Sequence, residues 1–68
     1  MGKVYKMLEL VGSSSVSSDD AVKNAIEKAS KTIRDMSWFE VVETRGAIGK
    51  DNKLEFQVTI KIGFGVED

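Results

Sequence analysis

The chain has no cysteine, no histidine and no proline. Lack of cysteine excludes disulfides and thiol nucleophiles, and lack of histidine excludes imidazole bases and ordinary zinc sites. Sixty-eight residues make a single domain, residues 1–68, whose lone core is marginal without covalent or metal support, so self-association is the remaining source of stability. An excess of one charge is missing too. Ten basic residues stand against eleven acidic ones, a formal net charge of −1, whereas a nucleic-acid binder needs a basic face interleaved with aromatics. No apolar run approaches membrane-spanning length and the amino terminus has no signal-peptide core, so no membrane partner is expected and a cytoplasmic location is the default.

What is present is a strong two-residue alternation. From Lys53 to Val66 the even positions are Leu54, Phe56, Val58, Ile60, Ile62, Phe64 and Val66, and the odd ones are polar or glycine. That period marks a strand with one buried and one open face. Gly49-Lys50-Asp51-Asn52 has turn composition and connects this strand to a β-like run from Trp38 to Ile48, which predicts an antiparallel hairpin. With Ile48 opposite Lys53, Phe39 faces Ile62 and Val41 faces Ile60 on the buried side, while Thr44 faces Gln57 and Trp38 faces Gly63 on the open side.

The amino-terminal half reads as a strand and a helix. Lys3 to Val11 is rich in apolar and β-branched residues and stops at Gly12, and Ser13 to Ser18 forms a serine-rich loop. Ser17 or Ser18 can cap the following helix, with Asp19 and Asp20 at the positive end of its dipole. The helix is expected to run to about Met36, with an apolar stripe of Val22, Ala25, Ile26, Ala29, Ile33 and Met36. The expected fold is therefore α+β in the order β-α-β-β, a three-stranded antiparallel sheet with one helix.

Trp38, the only tryptophan, falls on the open face opposite a residue with no side chain. A large indole in that position awaits a flat ligand or another subunit, and composition alone leaves these two readings level. Gln57 projects from the same face with a primary amide that both donates and accepts. Arg45 has the parity of the apolar face, so either its guanidinium extends beyond the helix or a bulge near Gly46 re-aims it. The open face shows no convincing acid–base pair, so an enzyme is not expected. Glu40, Glu43 and Glu55 are acidic strand residues to which no metal is assigned.

The opening Lys3-Val4-Tyr5-Lys6, the strand end Leu10-Val11-Gly12-Ser13-Ser14, Trp38-Phe39-Glu40-Val41, Arg45-Gly46-Ala47-Ile48-Gly49, and Phe56-Gln57-Val58 with Gly63-Phe64 together resemble the dodecin family, from Gly2 to about Glu67. The resemblance implies a sheet partly wrapping one helix, assembled into a hollow dodecamer that binds flavin for storage, sequestration and photoprotection. It implies that Trp38 and its two-fold mate stack on a pair of flavins, FMN or riboflavin, and that Gln57 meets the pyrimidine edge. Arg45 would approach the flavin or its phosphate. Lys3 and Lys6 are weaker candidates for that role, and a phosphate neutralised by Lys6 of a neighbouring subunit would select FMN. Some dodecins bind coenzyme A with residues matching Lys28, Lys31, Thr32 and Arg34 and a further basic residue near the carboxy terminus. Here that position is Gly65, and an ordinary solvated helix face is the alternative. A structural shell with Trp38 as an interface residue is the competing view of the whole.

Overall fold

The computed structural model describes residues 2–66; Glu67, the far end of the resemblance, lies outside the described residues. Strand β1 (Tyr5–Ser14) leads to helix α1 (Ser18–Ala29), and strands β2 (Met36–Ile48) and β3 (Leu54–Gly65) form the hairpin. β3, with the cleanest alternation, is the central strand of an antiparallel sheet ordered β1-β3-β2. The alternation decides which face is closed: Val58, Ile60 and Ile62 are buried, and α1 lays Ala21, Ala25 and Ala29 against them.

Those alanines recur every four residues, and their small side chains let the helix backbone come close to the sheet. Gly12 lies under this approach, where an added Cβ would collide with the Ala21 carbonyl oxygen and stand 2.9 Å from the Ala25 Cβ. Gly12 is therefore a contact point rather than a strand end, and β1 continues through Ser13 and Ser14, which pair with Gln57 and Phe56. Ser14 then starts the turn into the helix. Its hydroxyl donates to Asp20 at 2.7 Å and accepts from the Val16 amide at 2.9 Å, while Ser17 caps the helix by accepting from the Asp20 amide at 3.0 Å.

The helix is shorter than its periodicity predicts, ending at Ala29 rather than near Met36. Ser30 donates its hydroxyl to the Glu27 carbonyl at 2.7 Å, and the Thr32 amide reaches back only three residues, to the Ala29 carbonyl at 3.1 Å. Serine, threonine and isoleucine are poor at holding a last turn open to solvent, and Asp35 then takes φ 61° and reverses the chain. Ile33 and Met36 still pack beside the core, from the connection and from the start of β2 rather than from a helix face. The Gly65 amide bonds to the Asp35 carbonyl at 3.0 Å, tying this connection to the end of β3.

The hairpin keeps part of the expected register. Phe39 faces Ile62, Val41 faces Ile60 and Trp38 faces Gly63, but bulges interrupt β2 between Met36 and Trp38 and between Val41 and Glu43. Beyond the second bulge the pairing moves by one residue, so Thr44 faces Val58 and Arg45 faces Gln57. At the tip, Asp51 and Asn52 have φ of 59° and 57°, the left-handed conformation these residue types tolerate in turns.

The helix is short against the sheet it serves. Twelve helical residues span about 18 Å, whereas the twelve residues of β3 span about 40 Å. α1 packs on β1 and β3, and the hairpin stays open. Phe39, at 49 % exposure, and Val41 therefore lie largely bare despite their inward parity, as do Ile48 and Leu54 at the tip.

The Gly12 contact gives a direct test. Gly12→Ala forces the helix backbone off the sheet and is expected to destabilise the protein by about 1–3 kcal/mol, read as a lower midpoint in denaturant or thermal unfolding.

Candidate functional site

On the sheet face away from the helix, β3 presents Glu55, Gln57, Thr59, Lys61, Gly63 and Gly65. The two glycines leave a shallow floor near the carboxy-terminal end, filled over Gly63 by the Trp38 indole and over Gly65 by the Asp35 and Lys3 side chains. Trp38 comes in from β2 over Gly63, and an added Cβ at Gly63 would collide with the Cζ2, Cε2 and Cη2 atoms of the indole. Tyr5, opposite Gly65 on β1, meets the indole in a T-shaped contact with ring centroids 5.1 Å apart and planes at 67°. Met7 lies across Gly63 from Trp38 in the same row. The indole thus rests on backbone, is braced by one aromatic neighbour, and remains 42 % exposed.

Lys3 joins this cluster. Its ammonium lies 5.5 Å from the centroid of the Tyr5 ring and forms an ion pair with Asp35 at 3.4 Å. Tyr5 and Met7 were not singled out from the sequence. Their signal was nonetheless there: in β1 both share the parity of Glu9 and Ser13, which marks the open face, and the glycines of β3 leave space opposite them.

The second group lies further down the same face. Arg45 and Gln57 are register partners, and the Arg45 Nε donates to Gln57 Oε1 at 2.7 Å. Gln57 Nε2 in turn donates to Glu55 Oε1 at 2.7 Å. The bulge that brings Arg45 here lies at Val41/Glu43, not near Gly46. It inserts one residue, which turns every later side chain of β2 to the other face and takes the guanidinium off the apolar side.

One chain does not bring the two groups together. Gln57 and Gly63 are six residues apart on β3, about 20 Å at strand rise, so Trp38 and Gln57 share a face but not a site.

Lys6 belongs to the other face of the sheet. It lines a groove of about 430 Å³ together with Thr32, Ile33, Arg34, Phe64 and Gly65. Of the four residues grouped as a basic helix face, only Lys28 is helical; Lys31, Thr32 and Arg34 follow the helix end. Thr32 and Arg34 line the groove, and Lys28 and Lys31 do not.

Chemically, the open face offers an indole plane, an amide and a guanidinium. The indole can stack on a flat heterocycle, and the amide, in its separate place, can meet one polar edge. Among the described residues no helix is long and apolar enough to cross a membrane.

Comparison with known proteins places the chain among proteins of the same size. The family model described as Dodecin matches residues 4–67. A curated dodecin from Thermus thermophilus is 47% identical over 68 residues, covering 100% of this chain and 99% of the relative. A solved structure from the same organism has a TM-score of 0.91 at 46% identity and 98% coverage of both chains. The dodecin structure from Streptomyces davaonensis has a TM-score of 0.92 at 37% identity, with both chains covered in full.

The seat of the indole can be tested without touching the core. Gly63→Ala is expected to lift Trp38 off β3, which should red-shift its fluorescence and reduce its near-ultraviolet circular dichroism. The far-ultraviolet spectrum should stay the same. As the only tryptophan, Trp38 reports these changes without interference.

Proposed function

The chain belongs to the dodecin family, and on that premise we propose that it is a flavin store: a homododecamer in which paired flavins are held between Trp38 indoles of two-fold-related copies. The observation that carries this reading is the seat of Trp38, flat on glycine backbone and still exposed. An indole held this way presents a stacking plane without first having to order itself. Each aromatic stack adds roughly 0.5–1.5 kcal/mol beyond area burial, and an isologous interface supplies the second indole without a second tryptophan in the sequence.

The spacing of the site residues supports assembly as well. Since Trp38 and Gln57 of one chain are about 20 Å apart, a ligand gripped by both needs them from different copies. Gln57 keeps one N–H and one carbonyl lone pair after its contacts with Glu55 and Arg45, which matches the adjacent N–H and carbonyl of a flavin's pyrimidine edge. Lys6, on the opposite face from Trp38, can serve a flavin phosphate only from a neighbouring copy; if it does, FMN is preferred over riboflavin. The groove of Lys6, Thr32 and Arg34 is the place where coenzyme A would be sought, with no side chain from Gly65 to help.

In this reading the protein binds and protects rather than catalyses. An indole in van der Waals contact donates an electron to the excited ring and takes it back, returning the ligand to its ground state. A stack closed on both sides leaves no approach for a substrate, which fits sequestration in the cytoplasm better than turnover.

Trp38→Ala is expected to weaken FMN and riboflavin binding about tenfold or more and to restore flavin fluorescence, with assembly mass retained. Titration of flavin fluorescence together with size-exclusion mass checks both. A wild-type assembly that stays colourless when FMN or riboflavin is added would favour a structural shell with Trp38 as an interface residue.

A further inference from the structure

Gln57 is held between two groups of opposite hydrogen-bonding character. The Arg45 guanidinium has donors only, and its Nε donates to Gln57 Oε1 at 2.7 Å. The Glu55 carboxylate has acceptors only, and it receives the Gln57 Nε2 at 2.7 Å. A free carboxamide can turn by 180° and exchange its oxygen and nitrogen at little cost. Here the turn would set the NH₂ against a guanidinium and the carbonyl oxygen against a carboxylate, replacing two charge-assisted bonds with two repulsions.

The backbone builds this bracket. Glu55 is two residues before Gln57 on the same face of β3, and Arg45 is its register partner on β2 only because of the bulge at Val41/Glu43. Without that inserted residue Arg45 would face the helix side, and Gln57 would have one fixed neighbour instead of two.

We propose that Glu55 and Arg45 are positioning residues that fix the Gln57 amide in one orientation and thereby set the polarity of the ligand edge it accepts. Oε1 retains one lone pair for an N–H, and Nε2 retains one N–H for a neighbouring carbonyl. The edge selected is an imide-type N–H beside a carbonyl, and a ring alkylated at that nitrogen is rejected. This inference rests on the flavin reading of Gln57 and adds a determinant of specificity to it.

The test uses the assembled protein, riboflavin and N3-methylriboflavin, with the ratio of their dissociation constants as the readout. Wild type is expected to prefer riboflavin at least about tenfold. Glu55→Gln combined with Arg45→Gln replaces both one-sided neighbours with groups that donate and accept, so the amide is free to turn. Riboflavin affinity should fall roughly three- to tenfold and the preference should shrink to within about threefold; Glu55→Gln alone should move both in the same direction by less. A merely structural role would not alter the ratio. If the double variant binds both ligands more weakly with the ratio unchanged, or binds both as wild type does, the bracket is refuted and the flavin reading stands. If wild type binds neither ligand, the flavin reading fails and this inference falls with it.

Discussion

The approach of the Trp38 indole to the backbone of β3 at Gly63 is the contact on which the arrangement of the open face depends. A strand side chain normally stands away from the sheet and competes for space with the residue opposite. At Gly63 there is nothing to compete with, and a Cβ there would occupy the volume of the indole ring itself. The ring can therefore lie over the central strand, where Tyr5 braces it from the other side. One missing side chain on β3 thus fixes the position of the largest side chain in the protein. The same device recurs under the helix, where Gly12 admits the Ala21 carbonyl. Two glycines, one on each face, set how closely the two layers covering the sheet can approach it.

The second constraint is one of length. A helix closes a strip of sheet no longer than itself, and α1 has less than half the reach of β3. The uncovered remainder is not polar: Phe39, Val41, Ile48 and Leu54 are all exposed. A chain of this size has little core of its own, and apolar area on this scale in a small monomer indicates a surface that is buried in an assembly. The short helix and the long hairpin are thus two aspects of the same arrangement, which leaves apolar surface for self-association.

How much of this was legible in the sequence follows from how local each cause is. The unbroken alternation of β3 fixed its faces, and with a turn at Gly49 to Asn52 it placed Trp38 opposite Gly63, as observed. The helix end is hidden from the sequence because Ile33 and Met36 keep the helical spacing and do pack near the core; periodicity shows which residues are inside, not which backbone carries them there. The bulge at Val41/Glu43 has no mark in composition, since Val42 is as good a strand residue as its neighbours. Its effect was nevertheless visible as a conflict: Arg45 had a parity that its charge contradicted. Tyr5 shares the apolar and β-branched character of its neighbours in β1, so only its pairing with Gly65 on the open face marks its place beside Trp38.

The distance between the aromatic cluster and the Gln57 row carries the argument from fold to function. Both lie on one face of one rigid strand, so no side-chain rotation closes a gap of about 20 Å. A monomer therefore offers half a grip at each of two places. Under the proposed function, two copies related by a two-fold axis and running antiparallel across it would bring the Trp38 end of one sheet toward the Gln57 end of the other, and would do so twice, because an isologous contact repeats every pairing it makes. Alternation puts these residues on one face, and the strand rise keeps them apart within a chain. Under the proposed function, binding through such a divided site would depend on assembly.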